Sequence, residues 1–488
     1  MKLSVTFKFS VYISLVLAQS KQLGSRKQQQ DAYDPRSCDM GTSDKWACVC
    51  DQLGLKRDNC EAEIDKNLEL NNLKLCKDMS PYYLGRPVCR SEQMWTQSRD
   101  PAGKAMQFAL DLFKAADPKN LEKNYVISPL SPQILLAQLI EGCSEDARQE
   151  MINGIKLNSK EVSSLMQSLQ ETANKDNAMN KLDIASIVYK SKNMNLTDEF
   201  NHSRKQNKIM LQNIDFSDTV NAVQEINNWV SQKTRGNIQE IVSEQNLSPD
   251  MSMMLLNAIY FKGTWRYKFN QTDKRASFHT AENNKMSVQM MKQINRLRFG
   301  EINFGEYWEP DTGLRWVELP YEGDQLSMIL LLPKTRFELD KNLEQVTGAH
   351  LQEIFKVIRR DFNPNKIHLQ VPKFTIKDSI SLVEPLKKLG VKQIFESDSA
   401  LNKLSKTPVK VGDVKQDSFL SVDETGTTAT AVSKITIIPL SLNAYEDVHF
   451  ECNEPFMVMI VDKTSEIPLF MGKIRQPLKP TQESKNQG

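Results

Sequence analysis

Five histidines, eight cysteines and four Asn-X-Ser/Thr triplets hold most of the recognisable chemistry of this 488-residue chain. His202, His279, His350, His368 and His449 are scattered, with no spacing that would set them as metal ligands. HExxH, GxSxG and GxxxxGKS/T are absent, so zinc-protease, nucleophile-elbow and phosphate-loop chemistries have no support. A Ser-His-Asp set could be drawn from distant stretches, but nothing local points to one. Each histidine reads as a surface or packing residue. The cysteines are unevenly placed. Cys38, Cys48, Cys50, Cys60, Cys76 and Cys89 share one short segment, and Cys143 and Cys452 stand alone. Cys48-Val49-Cys50 is one residue tighter than a CxxC zinc pair, and no histidine lies near it. An even set in a small segment fits disulfides, with the connectivity left open.

Disulfides need an oxidising compartment, and the N-terminus supplies the route to one. Lys2 and Lys8 accompany an apolar run over 9–18, and Val16 and Ala18 hold the small-residue positions of a cleavage site. Residues 1–18 therefore read as a signal peptide, and the mature protein as secreted and extracellular. The run is shorter than the ~20 residues of a membrane span, and no other stretch approaches that length. Asn195, Asn201, Asn246 and Asn270 open glycosylation sequons, as a secreted glycoprotein would carry. Pro249 follows the third, which makes Asn246 the weakest of them. A balance of 63 basic against 61 acidic residues excludes a strongly basic nucleic-acid binder.

The elements that must position any site follow from patterning. Residues 19–95 read as a polar linker and a cysteine-rich extension, held by bridges because so small a piece buries little. A large domain is expected over 96–480 and a flexible tail over 481–488. Pro101 opens an apolar face of Met106, Phe108, Ala109, Leu112 and Phe113 at helical spacing. Ser131-Pro132 opens a second helix. The runs 253–261 and 327–332 are nearly all apolar, as strands buried on both faces are. Residues 367–376 alternate as one half-covered strand, and 456–462 and 468–475 read as the last core strands. Helices first and a strand-rich mixture later give an α+β class.

Several stretches are recognisable. SVDETGTTATA at 421–431, FECNEPFMVMI at 450–460 and PLFMGKIRQP at 468–477 lie in the C-terminal third. Upstream come NYVISPLSP at 124–132, Asn228-Trp229-Val230 with Thr234 and Gly236, NAIYFKGTW at 257–265, LPYEGDQLSMILLLP at 319–333 and VPKF at 371–374. In this order they resemble the serpin family over 100–478. The resemblance implies a serpin fold: three β-sheets, about nine helices and an exposed reactive-centre loop. In inhibitory members a protease attacks that loop, and the cleaved loop enters the main sheet as a strand. Counting from a hinge glutamate at Glu424, the family spacing implies a scissile bond between Leu440 and Ser441, with Leu442 and Tyr445 as fallbacks. The hinge would comprise Glu424, Gly426, Thr427, Ala429 and Ala431. Ser128, Ser131 and Asn257 would stand where the sheet parts, with Gln416 at a position where the family often has histidine. Glutamine keeps donor and acceptor but removes a titratable group there. Simple satisfaction of buried polar groups is an equal reading of these four.

The loop residues themselves allow insertion. Thr427, Ala429, Ala431, Ser433, Ile435 and Ile437 make one small-to-apolar face. Thr428, Thr430, Val432, Lys434 and Thr436 make the other, and no proline precedes Pro439. Leu440 suits a hydrophobic specificity pocket, so the expected partner is an extracellular chymotrypsin- or elastase-like serine protease. The chain is thus expected to be an inhibitor, not an enzyme, and a monomer before complex formation. The alternatives are a non-inhibitory serpin with a carrier, storage or chaperone role, or a substrate cleaved without trapping. Antithrombin-like members suggest that Cys143 could bridge to the extension, whereas Cys452 reads as a free buried thiol. No cofactor is implied; a polyanion such as heparin has only Lys175, Lys181 and the short group Lys356, Arg359 and Arg360 to recommend it.

Overall fold

The computed structural model of the protein describes residues 101–118, 122–158, 160–162, 180–206, 209–270, 275–304, 312–359, 365–425 and 447–477. The signal, the six clustered cysteines and the loop from Gly426 through Ser441 lie outside them. Nine α-helices and three sheets occur among the described residues.

The main sheet has five strands. They are β11 (Phe374–Ser381), β12 (Asp413–Val422), β4 (Met253–Lys262), β2 (Lys181–Ser191) and β3 (Leu211–Ile214), in that order across the sheet. The second sheet runs β1 (Tyr125–Ile127), β15 (Ile467–Ile474), β14 (Phe456–Asp462), β9 (Leu326–Pro333), β8 (Gly313–Pro320) and β7 (Phe299–Asn303). The third runs β13 (Val448–Glu451), β10 (Asn365–Pro372), β6 (Asn284–Leu297) and β5 (Arg275–Ala281). Every residue of β9, β14 and β15 is buried, and all of β4 except Lys262. Strands covered on both faces have no need of alternation, which is why these segments read as continuous apolar runs.

Helix α1 (Pro101–Ala116) begins on a proline, whose missing N–H costs nothing in the first turn. Its apolar face is buried, and Lys114 donates to the Val346 carbonyl (2.7 Å) ahead of helix α7 (Gly348–Arg359). Helix α2 (Leu130–Leu139) buries nine of its ten residues and shows no polar face. It is the helix that runs through the main core under the sheet, as an all-round apolar helix must. Helix α5 (Thr219–Lys233) covers the other face through Ala222, Ile226 and Val230, against Ile187, Tyr189, Met254, Leu256 and Ala258. Its N-cap is Asp218, which accepts from Asn221 N–H. The remaining helices are α3 (Glu145–Ile155), α4 (Asp198–Gln206), α6 (Leu339–Gln345), α8 (Val383–Lys388) and α9 (Gln393–Glu396).

One expected strand is two. The stretch 367–376 breaks at Pro372-Lys373 into β10 and β11, which belong to different sheets. Alternation continues across the break because both halves are covered on one face. Pattern alone cannot show a change of partner; Pro372, which can donate no ladder bond, marks the place.

Candidate functional site at the seam of the main sheet

Strands β4 and β12 lie side by side and parallel, in register from Met254–Asp413 to Tyr260–Phe419. Their outer neighbours, β2 and β11, run antiparallel to them. A strand laid between β4 and β12 and antiparallel to both would replace one parallel ladder with two antiparallel ones, which are slightly more stable per residue. The chain leaving the end of β12 has that direction if it folds straight back. It next appears at Asp447, entering β13 in another sheet.

Two clamps hold the seam. The upper one surrounds the exit of β12. The backbone N–H groups of Trp265 and Phe269 donate to the carbonyls of Thr425 and Glu424, both at 3.0 Å. The Trp265 indole N–H donates to Asp423 O at 2.9 Å, and the ring stacks on Tyr321 with centroids 4.4 Å apart. Gly263 permits that stack, since a Cβ there would stand 2.6 Å from the Tyr321 ring. Asp423 Oδ1 accepts from the N–H and hydroxyl of Thr425, closing a tight turn. Glu424, 8% exposed, receives Lys373 Nζ at 2.5 Å.

The middle clamp joins the residues the family pattern had grouped. Gln416 Oε1 accepts from Ser128 N–H and its Nε2 donates to Ser128 O, both at 2.8 Å, as a strand neighbour would. The same Nε2 reaches Asn257 Oδ1 at 3.3 Å across the seam. Asn257 Nδ2 donates onward to Ser186 Oγ on β2 at 2.7 Å. The hydroxyls of Ser128 and Ser131 are 3.1 Å apart. Ser128, Ser131, Asn257 and Gln416 are buried and Ser186 is half-buried, so the network runs from β2 through β4 and β12 to the start of α2. The quartet satisfies buried polar groups, and its Gln416–Asn257 contact does so across the seam. Gln416→Leu would leave the Ser128 N–H and C=O buried without partners, at ~1–3 kcal/mol each. A loss of roughly 2–4 kcal/mol is expected in urea unfolding; an unchanged midpoint would show that this clamp carries no load.

Ser186, Trp265, Tyr321, Lys373 and Asp423 were not singled out as site residues. Trp265, Tyr321, Lys373 and Asp423 sat inside quoted motifs, and Ser186 is a lone serine with no signal of its own. Of the hinge, only Glu424 is described. Asn195, Asn246 and Asn270 are exposed, whereas Asn201 is half-buried on α4 with Oδ1 accepting from Arg204. Cys143 and Cys452 are free and buried. The Cys143 thiol donates to Leu139 O at 3.4 Å, and burial pushes it up to about 12. In the short basic group Lys356 pairs with Glu353 and Arg359 with Glu466; Arg360 and Lys175 lie outside the described residues, as does the Lys181 side chain. Among the described residues no cluster has metal-ligating geometry, and no helix is long and apolar enough to cross a membrane.

The family model for Serpin (serine protease inhibitor) matches residues 104–477. Human leukocyte elastase inhibitor is 32% identical over 381 residues, covering 76% of this chain and 98% of that protein. Human antithrombin-III is 28% identical over 407 residues, covering 80% of this chain and 84% of that protein. The solved structure of human glycosylated kallistatin is similar at a TM-score of 0.66 and 27% identity, over 78% of this chain and all of that one.

Proposed function

The chain belongs to the serpin family, and we propose that it is a secreted inhibitor that traps a chymotrypsin- or elastase-like serine protease. The observation that carries this reading is the clamped parallel seam between β4 and β12, followed at once by a segment with an insertable face. The protease serine attacks the Leu440 carbonyl and Ser441 leaves with the new amine, so the acyl-enzyme hangs on the strand that continues β12. Freed from its far end, residues 427–437 fold back into the seam and carry the protease with them. Only a bond whose cleavage frees one end of the loop couples the chemistry to the sheet. Leucine at the bond supports an apolar specificity pocket, in keeping with the name of the elastase-inhibiting relative. The basic start and apolar run at the N-terminus, and the sequons on exposed residues, support secretion and glycosylation.

Incubation with chymotrypsin or pancreatic elastase is expected to give an SDS-stable covalent complex and a released fragment beginning at Ser441. Quantitative cleavage after Leu440 with no complex would leave a substrate or a non-inhibitory serpin instead.

A further inference from the structure

Beside the middle clamp stands a group that the closed sheet does not satisfy. Asp417 follows Gln416 on β12, so its side chain leaves the opposite face. That is the face on which Phe419, Ala258, Leu256 and Met254 pack with α5. Asp417 is 1% exposed, and among the described residues neither carboxylate oxygen has a hydrogen bond of good geometry; the hydroxyl of Ser379, its register partner on β11, is the one side-chain donor there that bears on it. The hydroxyl of Ser418, its neighbour, is also buried without a hydrogen bond. Buried polar groups are nearly always well partnered, so a carboxylate this poorly served beside the seam calls for a reason.

The surroundings explain the shortfall. From β4 come Leu256, Ala258 and Tyr260, and of these only Tyr260 carries a polar side-chain atom. From β11 come Ser379, the register partner, and Lys377, both exposed. Asp378 leaves the far face and pairs with Lys123 at 3.1 Å. Lys415, two residues back on β12, donates to Asn246 Oδ1 at 3.1 Å in the turn that crosses this face, where Glu244 is exposed. The charged residues of α5 are Glu225, which accepts from Gln212, and Lys233. No cation is thus committed to Asp417. Burial, eased by the Ser379 hydroxyl as a hydrogen-bond donor and by the charges of Lys415 and Lys377, and worsened by Asp378, pushes its carboxyl up to about 6 from an ordinary 3.8.

We propose that Asp417 is a positioning residue of the trapping reaction: its buried, poorly partnered carboxylate weakens the closed five-stranded sheet and so sets how readily β4 and β12 part. The inference rests on the insertion reading. Parting admits water to the carboxylate. The two states then differ in how they treat one charge, which is what shifts an equilibrium between them. A proton on Asp417 removes that charge and favours the closed form. Between pH ~4 and ~6 the folded protein holds a proton that the unfolded chain lacks, so this group's contribution to stability rises as pH falls through that window.

The full-length protein, Asp417→Asn and Asp417→Ala are compared at pH 7.5 and 5.0. Two quantities are read: the thermal midpoint of the uncleaved form, and the rate at which a synthetic peptide of residues 427–437 is taken up. Wild type is expected to melt higher and take up peptide more slowly at pH 5.0. Asp417→Asn should raise the midpoint at pH 7.5, slow uptake about tenfold and remove most of the pH difference, one pK unit being worth tenfold. Asp417→Ala should do the same if charge, not shape, is responsible. Variants that melt at or below wild type at pH 7.5, or that keep its pH difference, overturn the proposal. Absence of uptake by every protein would sink the insertion reading, and the melting comparison would still judge Asp417.

Discussion

Cleavage after Leu440 is expected to raise the thermal midpoint by on the order of 10–20 °C, and Ala429→Arg is expected to abolish both that rise and the covalent complex. The first figure follows from the seam. Filling it exchanges one parallel ladder for two antiparallel ones, a net gain of roughly ten backbone hydrogen bonds at about 1 kcal/mol each. The cost of ordering the loop is set against burial of Ala429, Ala431, Ile435 and Ile437. For a domain this large each kcal/mol moves the midpoint by about 1–2 °C. The second expectation follows from the period of two. Ala429 shares a face with Thr427 and Ala431, and arginine there must carry its charge into the main core or stall the strand. A stalled strand leaves the acyl-enzyme undistorted, so the protease hydrolyses it and departs. Differential scanning calorimetry before and after cleavage, with gels at fixed protease ratios, measures both. A complex formed by Ala429→Arg at the wild-type level would show that this face does not enter the sheet.

Glu424→Lys should be the most damaging single change at the upper clamp. Glu424 and Lys373 are 2.5 Å apart and mostly buried. Losing one partner of such a pair costs about 3–5 kcal/mol, and reversal sets two ammonium groups against each other. The damage falls where the Glu424 and Thr425 carbonyls take the Phe269 and Trp265 N–H groups, so the top of the seam loosens without cleavage. Expected outcomes are a lowered urea midpoint and, on warming, oligomers in which one copy's loop occupies another's seam. The exchange Glu424→Lys with Lys373→Glu should recover much of the midpoint. An unchanged midpoint in the single variant would mean that the ion pair does not hold the seam.

Much of this architecture was legible from residue patterns. The apolar runs at 253–261, 327–332 and 456–462 are the buried strands β4, β9 and β14. Pro101 marks the start of α1, and the buried face of that helix is the one its spacing indicated. Ser128, Asn257 and Gln416 were grouped by family pattern, and the fold places them in one hydrogen-bonded network. Family spacing was the visible signal, since Gln416 stands among Lys415, Asp417 and Ser418 and does not stand out by polarity.

What patterning could not reach was partner choice. A period of two says which residues share a face, but not which strand lies alongside, so 367–376 read as one strand although Pro372 divides it between two sheets. Ser186 and Asp417 look like ordinary outward residues of alternating strands. Only packing shows that Ser186 ends the middle clamp and that the Asp417 carboxylate is buried with little to donate to it. Local sequence specifies period, propensity and burial, because those depend on near neighbours. The parallel contact of β4 with β12, and the charge stranded beside it, arise between segments more than 150 residues apart along the chain, where only the assembled core decides what each group meets.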